Sequence, residues 1–83
     1  QMLRSADAPV RFEEVAVSDC RALTGKKLRE ADINRRTGLI VIAIRDALAG
    51  CFIHDPPADH CLREQDVMIV LGDSRQLAAL REL

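Results

Sequence analysis

Two apolar runs dominate the second half of the chain, Leu39 to Ile44 and Val67 to Leu71. Both are rich in β-branched residues and too short for helices, so they read as strands that are apolar on both faces. Between them, Cys51 to Asp55 reads as the returning strand of a hairpin turned by Arg45 to Gly50. Pro56 and Pro57 end it, because proline has no N–H to give to a ladder. Upstream, Phe12 to Val17 predicts a first strand, with Val15 and Val17 on one face and Glu14 and Ala16 on the other. Gly25 to Asp32 carries a weak helical pattern, with Leu28 and Ala31 as i, i+3 neighbours. Asn34 to Gly38 predicts a turn, with Gly38 at the positive φ that other residues resist. Leu62 reads as a lone anchor under the proline loop, and Arg63 to Asp66 as a tight polar turn. After the last strand, Asp73 is a good N-cap with Gln76 three residues on, and Leu77, Leu80 and Leu83 form one stripe.

The order predicts an α+β domain with a small four-stranded, mostly antiparallel sheet in β-(α)-β-β-β-α order. Residues 1–10 read as a linker or disordered lead-in and residues 11–83 as the domain. Strands that are apolar front and back need cover on both sides, and a chain of 83 residues has little material to supply it. A second copy is therefore expected to pack on the sheet. The residues expected at that interface are Ile40, Ile42 and Ile44, taken as one face of the first run, with Ile69 of the last strand.

Composition narrows the function classes. The net charge is −1 and the only aromatics are two phenylalanines. Neither a basic excess nor stacking aromatics are on offer, which argues against nucleic acid as a partner. No run approaches the roughly 20 apolar residues that cross a bilayer, so this segment is not expected to insert. Three cysteines without regular spacing argue against a disulfide framework and for a reducing, cytosolic setting.

An ordered series of short motifs carries a family resemblance. It runs through Glu14-Val15, Leu23-Thr24-Gly25-Lys26-Lys27-Leu28, Asp32-Ile33, Thr37-Gly38 and Ile40-Val41-Ile42-Ala43-Ile44-Arg45. It continues with Asp55-Pro56, Leu62, Asp66-Val67-Met68-Ile69-Val70-Leu71-Gly72, Gln76-Leu77 and Leu80. From Phe12 to Leu83 the chain resembles the TrkA C-terminal domain, also called the RCK C-terminal subdomain. The resemblance implies a cytosolic regulatory domain that dimerises within, or beside, a potassium channel or cation transporter, on the cytoplasmic side of the membrane. The rest of that channel or transporter is then a partner. The nucleotide-binding Rossmann half that usually precedes such domains is absent from this sequence, which has no G-x-G-x-x-G. No cofactor is expected. Two departures stand out. Gln65 replaces the usual glycine before the last strand, at a cost of about 1 kcal/mol if that turn needs a left-handed residue. The hairpin tip Ala47-Leu48-Ala49-Gly50 lacks the usual charge.

Candidate chemistry is sparse. Lys26, Lys27, Arg35 and Arg36, with Arg29 between them, form a basic cluster suited to a small anionic ligand such as a nucleotide or cyclic dinucleotide. The plain alternative is a solvated face. Some relatives bind cyclic di-adenylate through an Asn early in the strand after the turn, and Leu39 and Ile40 stand there instead, which counts against that ligand. Cys51, His54, His60 and Cys61 match no zinc spacing, and a strand sends Cys51 and His54 to opposite faces, so no metal site is expected. Asp55, Asp59, Glu64 and Asp66 match no calcium loop. No paired nucleophile and base stand out, so no catalytic residue and no enzyme is expected. The competing reading is a ligand-free assembly module.

Overall fold

The structure, a computed structural model, describes residues 9–83. The elements are β1 (Arg11–Ala16), α1 (Leu28–Ala31), α2 (Ile33–Thr37), β2 (Ile40–Asp46), β3 (Cys51–His54), β4 (Val67–Gly72) and α3 (Ser74–Arg81), with two 3-10 turns at Val17–Asp19 and Arg21–Leu23. The strands form one sheet in the order β1-β4-β2-β3, and every pairing is antiparallel. Most of the expected lead-in lies outside the described residues. Pro9 and Val10 are irregular and exposed.

One face of the sheet is covered. Val15 of β1, Met68 and Val70 of β4 and Ile44 of β2 meet Leu77 and Leu80 of α3, together with Leu23, Ile33, Leu39 and Leu62. Leu62 is fully buried, as an anchor must be. The α3 start is closed reciprocally. The Gln76 N–H donates to Asp73 Oδ1 and the Asp73 N–H to Gln76 Oε1, each at 2.9 Å, which satisfies two of the orphan donors at a helix start. Cys20 is in the core. Burial pushes its thiol up, Arg81 partly offsets that, and Asp19 adds to it.

The other face is open. Cross-strand partners share a face, so Phe12, Leu71 and Ile40 form one row, and Glu14, Ile69, Ala43 and His54 the next. Ala16, Val67, Arg45 and Phe52 form a third. Phe12 is 64% exposed, and Ile40 and Phe52 are each 49% exposed. The two-sided apolar pattern thus has cover on one side only.

Three expectations change. A β-bulge sits in β2, where Val41 pairs with Val70 but Ala43 already pairs with Ile69, leaving Ile42 as the extra residue. A bulge reverses the alternation beyond it. Ile40 and Ile69 therefore lie on the open face, Ile42 sits in the bulge, and Ile44 points into the core at 0% exposure. Ile44 is unavailable to a partner. Second, Asn34 to Thr37 is helical rather than a plain turn: α2 follows α1 across Asp32, which adopts φ 51°. Gly38 ends α2 at φ 86° and donates its N–H to the Asn34 carbonyl at 2.8 Å. Third, Gln65 does not adopt a positive φ. Among described non-glycine residues only Asp32 and Asp55 do, so Gln65 bears no left-handed cost.

Candidate functional site

Residues in β2 before the bulge have β4 on one side, but β3 pairs only from Ala43 onward. The chain leaves β3 at Asp55, whose N–H still reaches the Ile42 carbonyl at 3.0 Å, and then turns away through Pro56 and Pro57. Proline cannot extend the ladder, so a notch opens beside the start of β2. It is a cleft of about 480 Å³. Its walls are Ile40 and Val41 of β2, Leu28 of α1, Ile33 and Asn34 of α2, and Pro56 and Ala58 of the loop. Asn34 is the one polar residue among them. Its amide group donates to the Leu39 carbonyl at 2.9 Å, which leaves the side-chain oxygen as an acceptor. Such a lining suits a flat, mostly apolar group with a hydrogen-bonding edge.

The basic residues surround this cleft in sequence without lining it. Lys26 and Lys27 lead into α1, where the Lys27 N–H donates to Glu30 Oε1 at 2.9 Å. Arg35 and Arg36 are exposed on α2. Arg35 is paired with Asp32, and Arg29 with Asp59. Exposed pairs of this kind are worth little, so both guanidinium groups stay available for exchange to an anion. Pro56 and Asn34 are legible in the sequence as a strand stop and a turn, and Ala58 carries no signal; none of the three reads as a site residue. The prolines mark where β3 stops, but only the pairing register reveals a notch there.

A second polar feature stands behind the loop. Asp66 is fully buried and accepts from the Ala47 N–H at 2.9 Å, the Arg63 N–H at 3.1 Å and His60 Nε2 at 3.1 Å. Burial alone would raise its pKa. The two N–H groups and the His60 ring outweigh it and hold the carboxyl below the usual carboxylate range. The acidic quartet therefore does not converge: Asp66 faces inward and Asp59 faces Arg29. Cys61 and His60 likewise part company, the thiol reaching the Gly25 carbonyl at 3.7 Å while the ring turns to Asp66. Among the described residues no group of three or more His, Cys, Asp or Glu is placed to hold a metal ion. No helix among them is long and apolar enough to cross a membrane.

The TrkA-C domain family matches residues 12–83, and the chain belongs to that family. Solved RCK C-terminal domains share its four-stranded antiparallel fold. The GsuK RCK domain is 31% identical with a TM-score of 0.75, over 89% of this chain and 15% of that one. The RCK_C domain dimer of S. agalactiae BusR in complex with c-di-AMP is 26% identical with a TM-score of 0.76, over 89% of each chain. S. agalactiae BusR in complex with its busAB-promotor DNA is 25% identical with a TM-score of 0.76, over 96% of this chain and 38% of that one. This chain thus spans about 15% of the GsuK chain. No curated protein matches the sequence.

The BusR–DNA complex overturns one expectation. Near-neutral charge and only two aromatics argue against nucleic acid, yet BusR, which carries a similar domain, is solved on its promotor DNA. The composition of 83 residues reports the surface of those residues alone, and this chain corresponds to 38% of that BusR chain.

Proposed function

We propose that the chain is a regulatory, dimerising domain of a potassium channel or transporter system, and that it senses a small anionic ligand bearing a nucleobase. It acts on the cytoplasmic side of the membrane through the larger protein that carries it. Family membership supports the regulatory role. One observation supports the coupling of assembly to sensing: Ile40 belongs both to the exposed row Phe12–Leu71–Ile40 and to the cleft wall.

A second copy stacked row against row, about a twofold axis running across the strands, sets the two Ile40 side chains facing and brings the two clefts together. A ligand lying across that axis would touch both copies, with Arg35 and Arg36 at its rim for phosphate. Its preference for one packing of the two copies over another is then the signal. The interface residues are Ile40 and Ile69 with Phe12 and Leu71, in place of Ile44.

The test is sedimentation of the chain with and without cyclic di-AMP, beside the variant Ile40→Glu. A concentration-dependent dimer that tightens with cyclic di-AMP, and a variant that loses both dimer and response, is the expected result. A dimer indifferent to Ile40→Glu refutes the shared-residue arrangement. A dimer that ignores cyclic di-AMP and other nucleotides favours the assembly-module reading, which the aliphatic Leu39 and Ile40 at the strand start support.

A further inference from the structure

Behind the cleft, His60 faces two ways. Its carbonyl accepts the Leu28 N–H at 3.0 Å, and the neighbouring Ala58 carbonyl accepts the Arg29 N–H at 3.0 Å. Leu28 and Ala58 are cleft walls, so the loop and α1 are laced together by these bonds. The His60 ring points inward, with 7% of its side chain exposed, to a fully buried Asp66 carboxylate. A carboxylate only accepts, so the ring donates from Nε2. The other oxygen of Asp66 holds the Ala47 N–H at 2.9 Å. Ala47 opens the tip of the β2–β3 hairpin, where the Leu48 and Ala49 N–H groups share Asp46 Oδ1 and Leu48 stands 76% exposed. Two stretches of the chain thus meet on one buried carboxylate: the segment from His60 to Arg63, whose His60 backbone holds the cleft residue Leu28, and the hairpin tip at Ala47. A buried charge-assisted cluster is costly to leave partly satisfied, so its members open together.

We propose that His60 is a positioning residue of the cleft and that, through Asp66, it links the cleft wall to the hairpin tip. Movement of the Pro56–His60 loop on filling the cleft then changes the order of Ala47 to Gly50, and the exposed tip carries the signal away from the ligand. The link from loop to hairpin stands on the hydrogen bonds. Its use in signalling rests on the cleft being the ligand site.

Amide hydrogen exchange on the whole chain tests it, with His60→Phe, which keeps a ring but no donor, and His60→Gln, which keeps a donor. In His60→Phe the Ala47 amide and the Leu28 and Arg29 amides exchange about tenfold faster, as loss of one bond to a charged group implies. The Leu77 amide in α3, bonded to the Asp73 carbonyl, keeps its rate. His60→Gln restores protection to within about twofold of the native chain. Acceleration at Leu28 with none at Ala47 overturns the link, and so does equal acceleration everywhere, which is general destabilisation. Cyclic di-AMP is then added to the native chain and to His60→Phe. Binding that alters Ala47 exchange in the first and not the second is expected, and binding with no change at Ala47 overturns the proposal. Absence of binding refutes cyclic di-AMP as the ligand of the cleft, while the exchange rates of the variants still decide whether loop and hairpin are linked.

Discussion

Replacing Asp66 by Asn tests how much of the fold hangs on one carboxylate. In the native chain one oxygen serves the Ala47 N–H and the other serves both the Arg63 N–H and His60 Nε2. An Asn side chain keeps one acceptor oxygen and turns an NH2 toward at least one buried donor. Whichever way the amide is oriented, a backbone N–H loses its partner. A hydrogen bond to a charged group contributes about 1.5–3 kcal/mol, and an orphaned buried donor adds to the loss, so Asp66→Asn should cost about 3 kcal/mol. For a domain of this size each kcal/mol moves Tm by roughly 4–8 °C, so the melting point should fall by more than about 10 °C. Urea unfolding followed by circular dichroism at neutral pH measures it. The pH dependence gives an independent check. Because the folded carboxyl sits below its ordinary range, its contribution is complete above the unfolded value near pH 4 and fades as pH falls through the lower folded value. The gap between native chain and variant should therefore close only in strong acid. A loss below about 0.5 kcal/mol at neutral pH, or a gap that closes already between pH 6 and 5, refutes the reasoning.

Three further outcomes follow from the geometry. Ile44→Ala should cost about 3 kcal/mol because its site is fully buried, whereas Ile40→Ala should leave monomer stability within about 1 kcal/mol and weaken self-association; denaturation and sedimentation separate the two, and equal stability losses would contradict the bulge. Gly38→Ala should lose about 1–2 kcal/mol in the same denaturation assay, since φ is 86° and a Cβ there would come within 2.5 Å of Gln76 Nε2. Asp73→Ala should remove about 1 kcal/mol by opening the cap of α3, with the loss visible as faster exchange at the Gln76 amide.

Features set by neighbours in sequence were legible and features set by register were not. The cap at Asp73 and Gln76, the stop at Pro56-Pro57 and the left-handed Gly38 each depend on residues within a few positions, and the structure has all three. The run Ile40 to Ile44 is apolar at every position, so nothing in it announces that Ile42 is supernumerary. Only pairing with β4 does, and that moves Ile44 from surface to core. The α2 helix leaves no apolar stripe in the sequence, because Asn34, Arg35 and Arg36 face solvent and Ile33 is its one buried residue. The cleft has no motif at all. It is the place where one strand ends before its neighbour does. The Asp66 cluster looked like one more acid in a polar loop, because burial and the His60 contact arise only when the loop folds back.

The three thiols divide unequally between inside and outside. Cys51 and Cys61 are exposed, whereas Cys20 is enclosed and its thiolate disfavoured. A brief pulse of a thiol-alkylating reagent should tag the first two at once and the third only when the core opens. The appearance of a third adduct by mass spectrometry would then time that opening from within, with no foreign dye attached to a chain that has no tryptophan of its own.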